Sequence, residues 1–338
     1  MTNIKVTTTG YSVNNGTEIT ASVPLAAAIR EAGKYVDNTT IYIHSEDLTG
    51  LDIGGPAGYQ NKANCAFWDR PIKGLTLIGA NANSKIGNLR FWDTMNGVES
   101  ITIQNLTIVN SANEFAPIRT AMNEVHGFIT IDNCKFVGTG TNWIGKGMKW
   151  GIRGHGPAKW IITNCEFEPC QEHSIYIDNP QGDLVIEKCK GRGNGRTFMQ
   201  ITNRPTSGPS QFGNITVKNC VANDISDFGG GGSDYTFVGC TGKLEVTDCS
   251  SYNTKNGAMV MWTDVTNGTY TVGRNFSFYD VLIQRFHAES SIATRPMVSL
   301  SGIRYGLVKE CNLYGGPLKY RLGSDYGGPR PNGHIEFV

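Results

Sequence analysis

The stretch Ile129-Thr-Ile-Asp-Asn-Cys-Lys-Phe136 alternates apolar and polar side chains, and the alternation breaks at Asn133 and Cys134. Alternation with a period of two residues is typical of a strand with one buried face. After Gly, Asn is the residue that best tolerates the left-handed backbone region, so a one-residue bend at Asn133 explains the break. The stretch therefore predicts a strand, a bend and a second strand.

The same phrase recurs along most of the chain. Its small apolar position falls at Leu106, Cys134, Cys165, Cys189, Cys220, Cys249, Val281 and Cys311. The copies follow one another at roughly 24–32 residues, a period typical of solenoids. An earlier copy at Leu75-Thr-Leu-Ile-Gly-Ala80 brings the prediction to about nine coils. The expected fold is all-β, a right-handed single-stranded parallel β-helix, in which Cys lies over Cys and Asn over Asn.

One amphipathic helix is expected, over residues 23–36, where it would cap the open first coil of the solenoid. The predicted organisation is an N-terminal segment over residues 1–22, a β-helix over residues 23–313 that includes this helix, and an irregular C-terminal cap or tail over residues 314–338. Loops of variable length interrupt the coils at 138–149, 203–214, 226–234 and 285–295, and such insertions often project from a binding face.

Composition excludes several function classes. The chain has 338 residues with 30 basic and 29 acidic side chains, so no strong electrostatic field for nucleic acid or anionic membranes is expected. No apolar run approaches ~20 residues, so no membrane span is predicted. The nine Cys lack the close pairing of a zinc site, and neither a metal nor a cofactor is expected. The N-terminus lacks the apolar core of a signal peptide, so synthesis in the cytoplasm is expected, with a virion-associated or extracellular working place left open.

Four segments that follow the loops align coil by coil: 151–156, 174–179, 198–204 and 258–264. Strand alternation places Arg153, Tyr176 and Gln200 in one outward column, and His155, Asp178 and Thr202 in a second column beside it. Trp262 is also expected to face outward. Glu172, His173 and Arg204 would flank these columns. Such a solvent-facing strip suits a sugar chain, because aromatic faces stack on sugar rings and guanidinium groups hold carboxylates.

The cap helix, the coil length and the Asn-Cys turns resemble the pectate-lyase-like superfamily over roughly residues 20–320. The phrase Glu172-His-Ser-Ile-Tyr-Ile-Asp178 is also similar to an acidic-His-Gly-Ile-Tyr phrase of β-helix polysaccharide-active proteins, with Ser174 in place of the usual Gly. The superfamily contains polysaccharide lyases, glycoside hydrolases, epimerases, phage tail spikes and non-catalytic adhesins. The resemblance therefore implies a fold more than an activity.

The functional hypothesis is a polysaccharide-recognising protein of phage tail-spike type, with activity as a depolymerase, either a lyase or a hydrolase, left open. Its catalytic candidates are His155, His173, Tyr176 and Asp178, and its substrate-binding candidates are Arg153, Glu172, Gln200, Arg204 and Trp262. A lyase would use an Arg with a His or Tyr, whereas a hydrolase would need two facing carboxylates, such as Asp178 with Glu172. A non-catalytic glycan-binding protein and a purely structural virion or surface protein are the alternatives. A homotrimer is expected from the likeness to tail spikes.

Overall fold

A computed structural model describes the chain apart from residues 22–23, 36, 45–72, 92–97, 111–115, 121–124, 139–147, 156–158, 179, 181, 194, 203–212, 226–232, 240–241, 263–277 and 323–331. The chain divides into two compact units, residues 1–170 and residues 171–338. Each unit is built mainly from parallel β-strands.

Among its described residues, the first unit contains fifteen strands and one helix. The helix α1 covers Pro24–Ala32. The strands are β1 (Thr2–Val6), β2 (Gly10–Val13), β3 (Ile19–Thr20), β4 (Thr39–Ile43), β5 (Gly74–Gly79), β6 (Lys85–Ile86), β7 (Leu89–Phe91), β8 (Val98–Gln104), β9 (Thr107–Asn110), β10 (Ile118–Thr120), β11 (Val125–Asp132), β12 (Lys135–Gly138), β13 (Trp150–His155), β14 (Lys159–Thr163) and β15 (Glu166–Phe167).

From β5 onward, successive strands of the first unit visit three sheets in rotation, whereas β2 pairs antiparallel with both β1 and β3. The strands that precede the predicted bend of each coil form the pre-bend sheet, and those that follow it form the post-bend sheet. The pre-bend sheet has the order β3-β2-β1-β4-β5-β8-β11-β14, the post-bend sheet β6-β9-β12-β15, and the third sheet β7-β10-β13. Pairing between coils is parallel, for example Ile101 with Ile129. One strand per sheet and coil is the arrangement that the repeated phrase predicts.

The second unit repeats this rotation. Its strands are β16 (His173–Asp178), β17 (Leu184–Glu187), β18 (Lys190–Arg192), β19 (Thr197–Thr202), β20 (Ile215–Lys218), β21 (Val221–Asn223), β22 (Tyr235–Val238), β23 (Lys243–Thr247), β24 (Ser250–Tyr252), β25 (Met259–Trp262), β26 (Phe278–Gln284), β27 (His287–Ser290), β28 (Val298–Leu300), β29 (Ile303–Lys309), β30 (Asn312–Gly315), β31 (Tyr320–Leu322) and β32 (His334–Phe337). Its pre-bend sheet is β17-β20-β23-β26-β29-β32, its post-bend sheet β18-β21-β24-β27-β30, and its third sheet β16-β19-β22-β25-β28-β31.

The predicted bends between the pre-bend and post-bend sheets are confirmed. Asn105, Asn133 and Asn164 have φ of 56°, 50° and 54°, in the left-handed region. The amide Nδ2 of Asn133 donates to Oδ1 of Asn105 at 2.8 Å, so the bends of neighbouring coils are hydrogen-bonded to each other. In the second unit the same conformation occurs at Lys188, Asn219, Asp248, Arg285 and Glu310.

One copy of the repeat was aligned wrongly. Val281 pairs with Leu244 inside the pre-bend sheet, so it does not lie beside Cys249. The bend of that coil is Arg285, with φ 50°, and Phe286 follows it. β26 continues through Val281 to Gln284, past the position at which the phrase placed the bend, and Arg-Phe stands where Asn-Cys was sought. The remaining Cys of the ladder are buried free thiols, apart from Cys311, which is half-buried.

Two predicted boundaries also change. The helix ends at Ala32 instead of residue 36, because Gly33 follows and Gly is a poor helix former. Ala28, Ile29 and Ala32 are buried, and α1 contacts β1, β2 and β4, as a cap would. The C-terminal residues are not wholly irregular, since β31 pairs with β28 and β32 pairs with β29.

The core of each unit is formed by the inward side chains of its strands. In the first unit the rings of Phe136 and Phe167 stack with centroids 4.6 Å apart. In the second unit Tyr235 is fully buried between Phe198 and Phe286, with edge contacts at 5.7 and 5.4 Å. The part of the chain that the structure describes contains no helix suited to a membrane span, since α1 has nine residues.

Candidate functional site

The third sheet of the first unit carries three arginines at one register position. Arg119 pairs with Arg153 on β13 and with Arg90 on β7. Neighbouring parallel strands are about 4.8 Å apart, so the three positions form a column across the sheet. Ile118 and Ile152, one residue earlier, are fully buried, which places Arg119 and Arg153 on the outward face. We call Arg90, Arg119 and Arg153 the arginine column.

Trp150 begins the strand that carries Arg153. The ring of Trp150 has the Nζ of Lys149 4.7 Å from its centroid and the guanidinium carbon of Arg153 at 5.2 Å. Cation–π contacts of this kind fix a guanidinium over an aromatic face without neutralising its charge. Trp150 and Arg153 are both half-buried, so the ring holds the guanidinium at the edge of the outward face.

The pKa of His155 depends on its burial and on two arginines of the arginine column. Burial, together with the charges on Arg153 and Arg119, lowers the pKa of His155 to about 4. The imidazole is therefore neutral at pH 7. A positive charge on this ring is disfavoured by the same arginines that would attract an anion.

The third sheet of the second unit carries most of the other predicted site residues. Tyr176 pairs with Gln200, and Asp178 pairs with Thr202, as the coil alignment predicted. The columns continue through Thr236 to Val260 and through Val238 to Trp262. The predicted joining of Arg153 and His155 with these columns stays a prediction, because they belong to the first unit. Arg204 lies outside the described residues.

The expected solvent-facing strip is only partly exposed. Tyr176, Gln200 and Trp262 are half-buried. Asp178 is only 8% exposed and Thr202 is fully buried, so the expectation of solvent access was wrong at these two positions. Alternation along a strand predicts which face a side chain takes, but it does not show whether another part of the chain covers that face.

His173 lies in a cluster of side chains at the start of β16 and β19. The other members are Glu172, Tyr176, Arg196 and Thr197. The Nδ1 of His173 and the Oγ1 of Thr197 are 2.5 Å apart, and the Nε2 of His173 lies 3.7 Å from Oε2 of Glu172. The edge of the His173 ring meets the Tyr176 ring at 5.2 Å. His173 is 2% exposed, so these contacts hold its ring in place and leave it little access to a polymer.

Glu172 is shared within this cluster. Nη1 of Arg196 lies 3.8 Å from the same carboxylate oxygen of Glu172 that faces His173. Gln200 has a separate contact, donating from Nε2 to Oγ1 of Thr202 at 3.1 Å. Within the described ranges, no group of three or more His, Cys, Asp or Glu side chains could hold a metal ion.

Sequence reasoning missed Arg90 and Arg119. Both follow an apolar residue, in Leu89-Arg-Phe91 and Ile118-Arg-Thr120, as Arg153 follows Ile152. This apolar-Arg pair at coil spacing was the available signal. The coil-by-coil alignment of outward residues begins at residue 151, so it does not include the pairs at Arg90 and Arg119.

A family model described as a right handed beta helix region matches residues 94–276. No curated protein and no solved structure matches the chain.

Proposed function

The chain belongs to the right-handed β-helix family. We propose that it is a polysaccharide-recognising protein, whose ligand lies along the outward face of the third sheet of the first unit. The arginine column is the observation that carries this proposal. Its three residues hold the same register position on neighbouring strands, which are about 4.8 Å apart. A polymer with repeating acidic groups is a natural partner for a repeating row of cations.

The chemistry of the column favours an acidic polysaccharide. A guanidinium group binds a carboxylate through two parallel hydrogen bonds, which fixes its orientation as well as its charge. The ring of Trp150 lies under the Arg153 guanidinium and would help to hold it in place for a carboxylate. The low pKa of His155 supports a positive local potential at this surface.

Binding to a panel of acidic and neutral oligosaccharides tests the proposal. The double variant Arg119→Ala/Arg153→Ala is expected to weaken binding of acidic chains by at least tenfold, since each charge-assisted hydrogen bond contributes about 1.5–3 kcal/mol. The matched control is Arg304→Ala, an exposed arginine on β29 that stacks on Tyr305. Equal binding by the wild type and the double variant would exclude the arginine column as the site.

Cleavage by β-elimination is the second candidate function, and the neutral His155 beside Arg119 and Arg153 favours it. A guanidinium would hold the carboxylate of a uronate and stabilise the charge that develops there. The neutral imidazole would accept the proton at C5, a C4–C5 double bond would form, and the C4–O bond would break with protonation of the leaving oxygen. A bound carboxylate would also offset the arginine charges and raise the pKa of His155 towards its ordinary range.

Ultraviolet absorbance of the unsaturated product distinguishes this lyase from a protein that only binds. We expect His155→Gln to abolish product formation while binding of the acidic chain persists. A wild-type protein that binds the chain without any rise in absorbance over a broad panel would be a non-catalytic glycan-binding protein.

Hydrolysis by Glu172 and Asp178 is not favoured. The paired carboxylates of glycosidases lie within about 10 Å of each other. His173 and Asp178 are the two ends of the extended strand β16, about 16 Å apart, and Glu172 precedes His173.

A tail-spike-like homotrimer on a virion surface completes the proposal, and sedimentation analysis of the full chain tests the trimer.

A further inference from the structure

The post-bend sheet of the second unit exposes aromatic rings that the proposed function does not use. Tyr252 on β24, His287 on β27 and Tyr314 on β30 form a continuous set, which we call the aromatic stripe. Ring centroids are 5.4 Å apart for Tyr252 and His287, and 5.8 Å apart for His287 and Tyr314. Tyr314 is 55% exposed, so at least one ring of the stripe is open to solvent.

Strand register makes the aromatic stripe periodic. Tyr252 pairs with Glu289, and Glu289 pairs with Tyr314, so the two tyrosines hold the same position two coils apart. Two strand spacings amount to about 9.6 Å. That distance is of the order of two sugar units in an extended chain, so alternate sugars of one glycan could each meet a tyrosine.

The surroundings of the aromatic stripe are polar. Ser250 and Asn312 pair with His287 from either side, which puts a hydroxyl and an amide in its column. Glu289, between the tyrosines, is 66% exposed at its side chain. The centre of an interface between protein copies is usually depleted of charged residues, whereas aromatic rings flanked by hydrogen-bonding groups suit a sugar.

We propose that the aromatic stripe is a second glycan-binding surface, separate from the third sheet, and that it takes neutral sugar residues. The carboxylate of Glu289 would repel the acidic groups that the arginine column attracts. Tyr252 and Tyr314 would stack on the apolar faces of sugar rings, and Glu289 would accept hydrogen bonds from sugar hydroxyls. This surface shares only the ligand class of the proposed function and does not depend on the arginine column.

The test uses the full chain and hexasaccharides of glucose, galactose, mannose and xylose, with oligogalacturonate as the acidic comparison. We expect at least one neutral hexasaccharide to bind, and Tyr252→Ala/Tyr314→Ala to weaken that binding about tenfold, because each aromatic pair contributes about 0.5–1.5 kcal/mol. Tyr305→Ala is the matched control, since Tyr305 is 51% exposed on β29 of the pre-bend sheet. Thermal unfolding of each variant checks that it is folded.

Three outcomes would overturn the inference. They are no binding of any neutral hexasaccharide, unchanged binding by the double tyrosine variant, or a wild-type oligomer that the same variant converts to monomers. The last would identify the stripe as an interface between copies. Arg119→Ala/Arg153→Ala should leave neutral binding intact, so failure of the arginine column and failure of the aromatic stripe are separately visible.

Discussion

Arg285 binds Asp248 of the preceding coil through two hydrogen bonds, from Nε to Oδ1 at 2.6 Å and from Nη2 to Oδ2 at 2.7 Å. Both residues occupy the left-handed bend, with φ of 50° and 55°. A bidentate ion pair therefore joins the bends of these two coils, as the amide contact joins Asn105 and Asn133 in the first unit.

Substitutions at Arg285 should separate the bend from the ion pair. Arg285→Val places a β-branched residue in the left-handed region and should lower the free energy of unfolding by about 1–2 kcal/mol. Arg285→Asn loses the ion pair but suits the bend, so it should be close to the wild type. Chemical denaturation measures both. Equal destabilisation by Val and Asn would show that the ion pair, and not the backbone conformation, matters at this position.

The sequence predicts the bends where the residue itself favours the conformation, as at Asn105, Asn133 and Asn164. It does not predict the bend at Arg285, because Arg does not itself favour this conformation. Arg285 is held there by its ion pair with Asp248, which is 37 residues away in the chain. The candidate site divides in the same way. The pairs Tyr176–Gln200 and Asp178–Thr202 follow from strand alternation. The apolar-Arg pairs at Arg90 and Arg119 mark only single positions, and strand register is what joins them to Arg153.

Asp234 should make stability depend on pH. It is fully buried, and burial raises its pKa to about 7 against the hydrogen bonds that it accepts from Ser251 and Thr254. The folded state thus keeps a proton that the unfolded chain loses near pH 4. The stabilisation is fully present below pH 4 and is lost as pH rises through about 7.

Denaturant unfolding from pH 4 to pH 8 measures this effect. Wild-type stability should fall relative to Asp234→Asn as pH rises, by a few kcal/mol in all. Asp248→Asn is the control: the hydrogen bond from Arg285 lowers the pKa of the exposed Asp248, so the contribution of this carboxylate is complete above pH 4 and the variant should run parallel to the wild type over this range. Parallel stability profiles for the wild type and Asp234→Asn would contradict the prediction.

Gly191 should not tolerate a side chain. A Cβ there would lie 2.3 Å from Cδ2 of Phe198 and 2.9 Å from Oγ of Ser174. Overpacking of this kind costs about 1–3 kcal/mol, so Gly191→Ala should lower the melting temperature clearly. Gly306→Ala is the matched control in another strand of the same unit, where the nearest atom is 3.3 Å away. Similar melting temperatures for the two variants would show that Phe198 can move aside.

The thiols of the bend should be inert in the folded protein. Cys134, Cys165, Cys220 and Cys249 are buried, and each sulfur donates to the carbonyl oxygen two residues earlier, at 3.1–3.3 Å. Burial also raises the pKa of Cys249 well above its ordinary value. At Cys220 burial raises the pKa, but hydrogen bonds with Cys189 and Cys249 outweigh it and lower the pKa, so the inertness of Cys220 rests on its burial, which keeps reagents from the sulfur. A thiol reagent should therefore label these four residues only after unfolding, as peptide mass spectrometry can show. Labelling of any of the four in the native state would indicate that its coil opens.

His155 should titrate near pH 4, and NMR of the imidazole measures this directly. Because burial is the largest cause and the charges of Arg153 and Arg119 add to it, Arg153→Gln should raise the pKa while leaving it below 6.5. The neutral form stabilises the fold above pH 6.5, and this contribution is lost as pH falls through about 4. Arg304→Gln, on β29, should not move the titration. An unchanged pKa in Arg153→Gln would mean that burial alone keeps His155 neutral, and it would remove the electrostatic support for an anion at the arginine column.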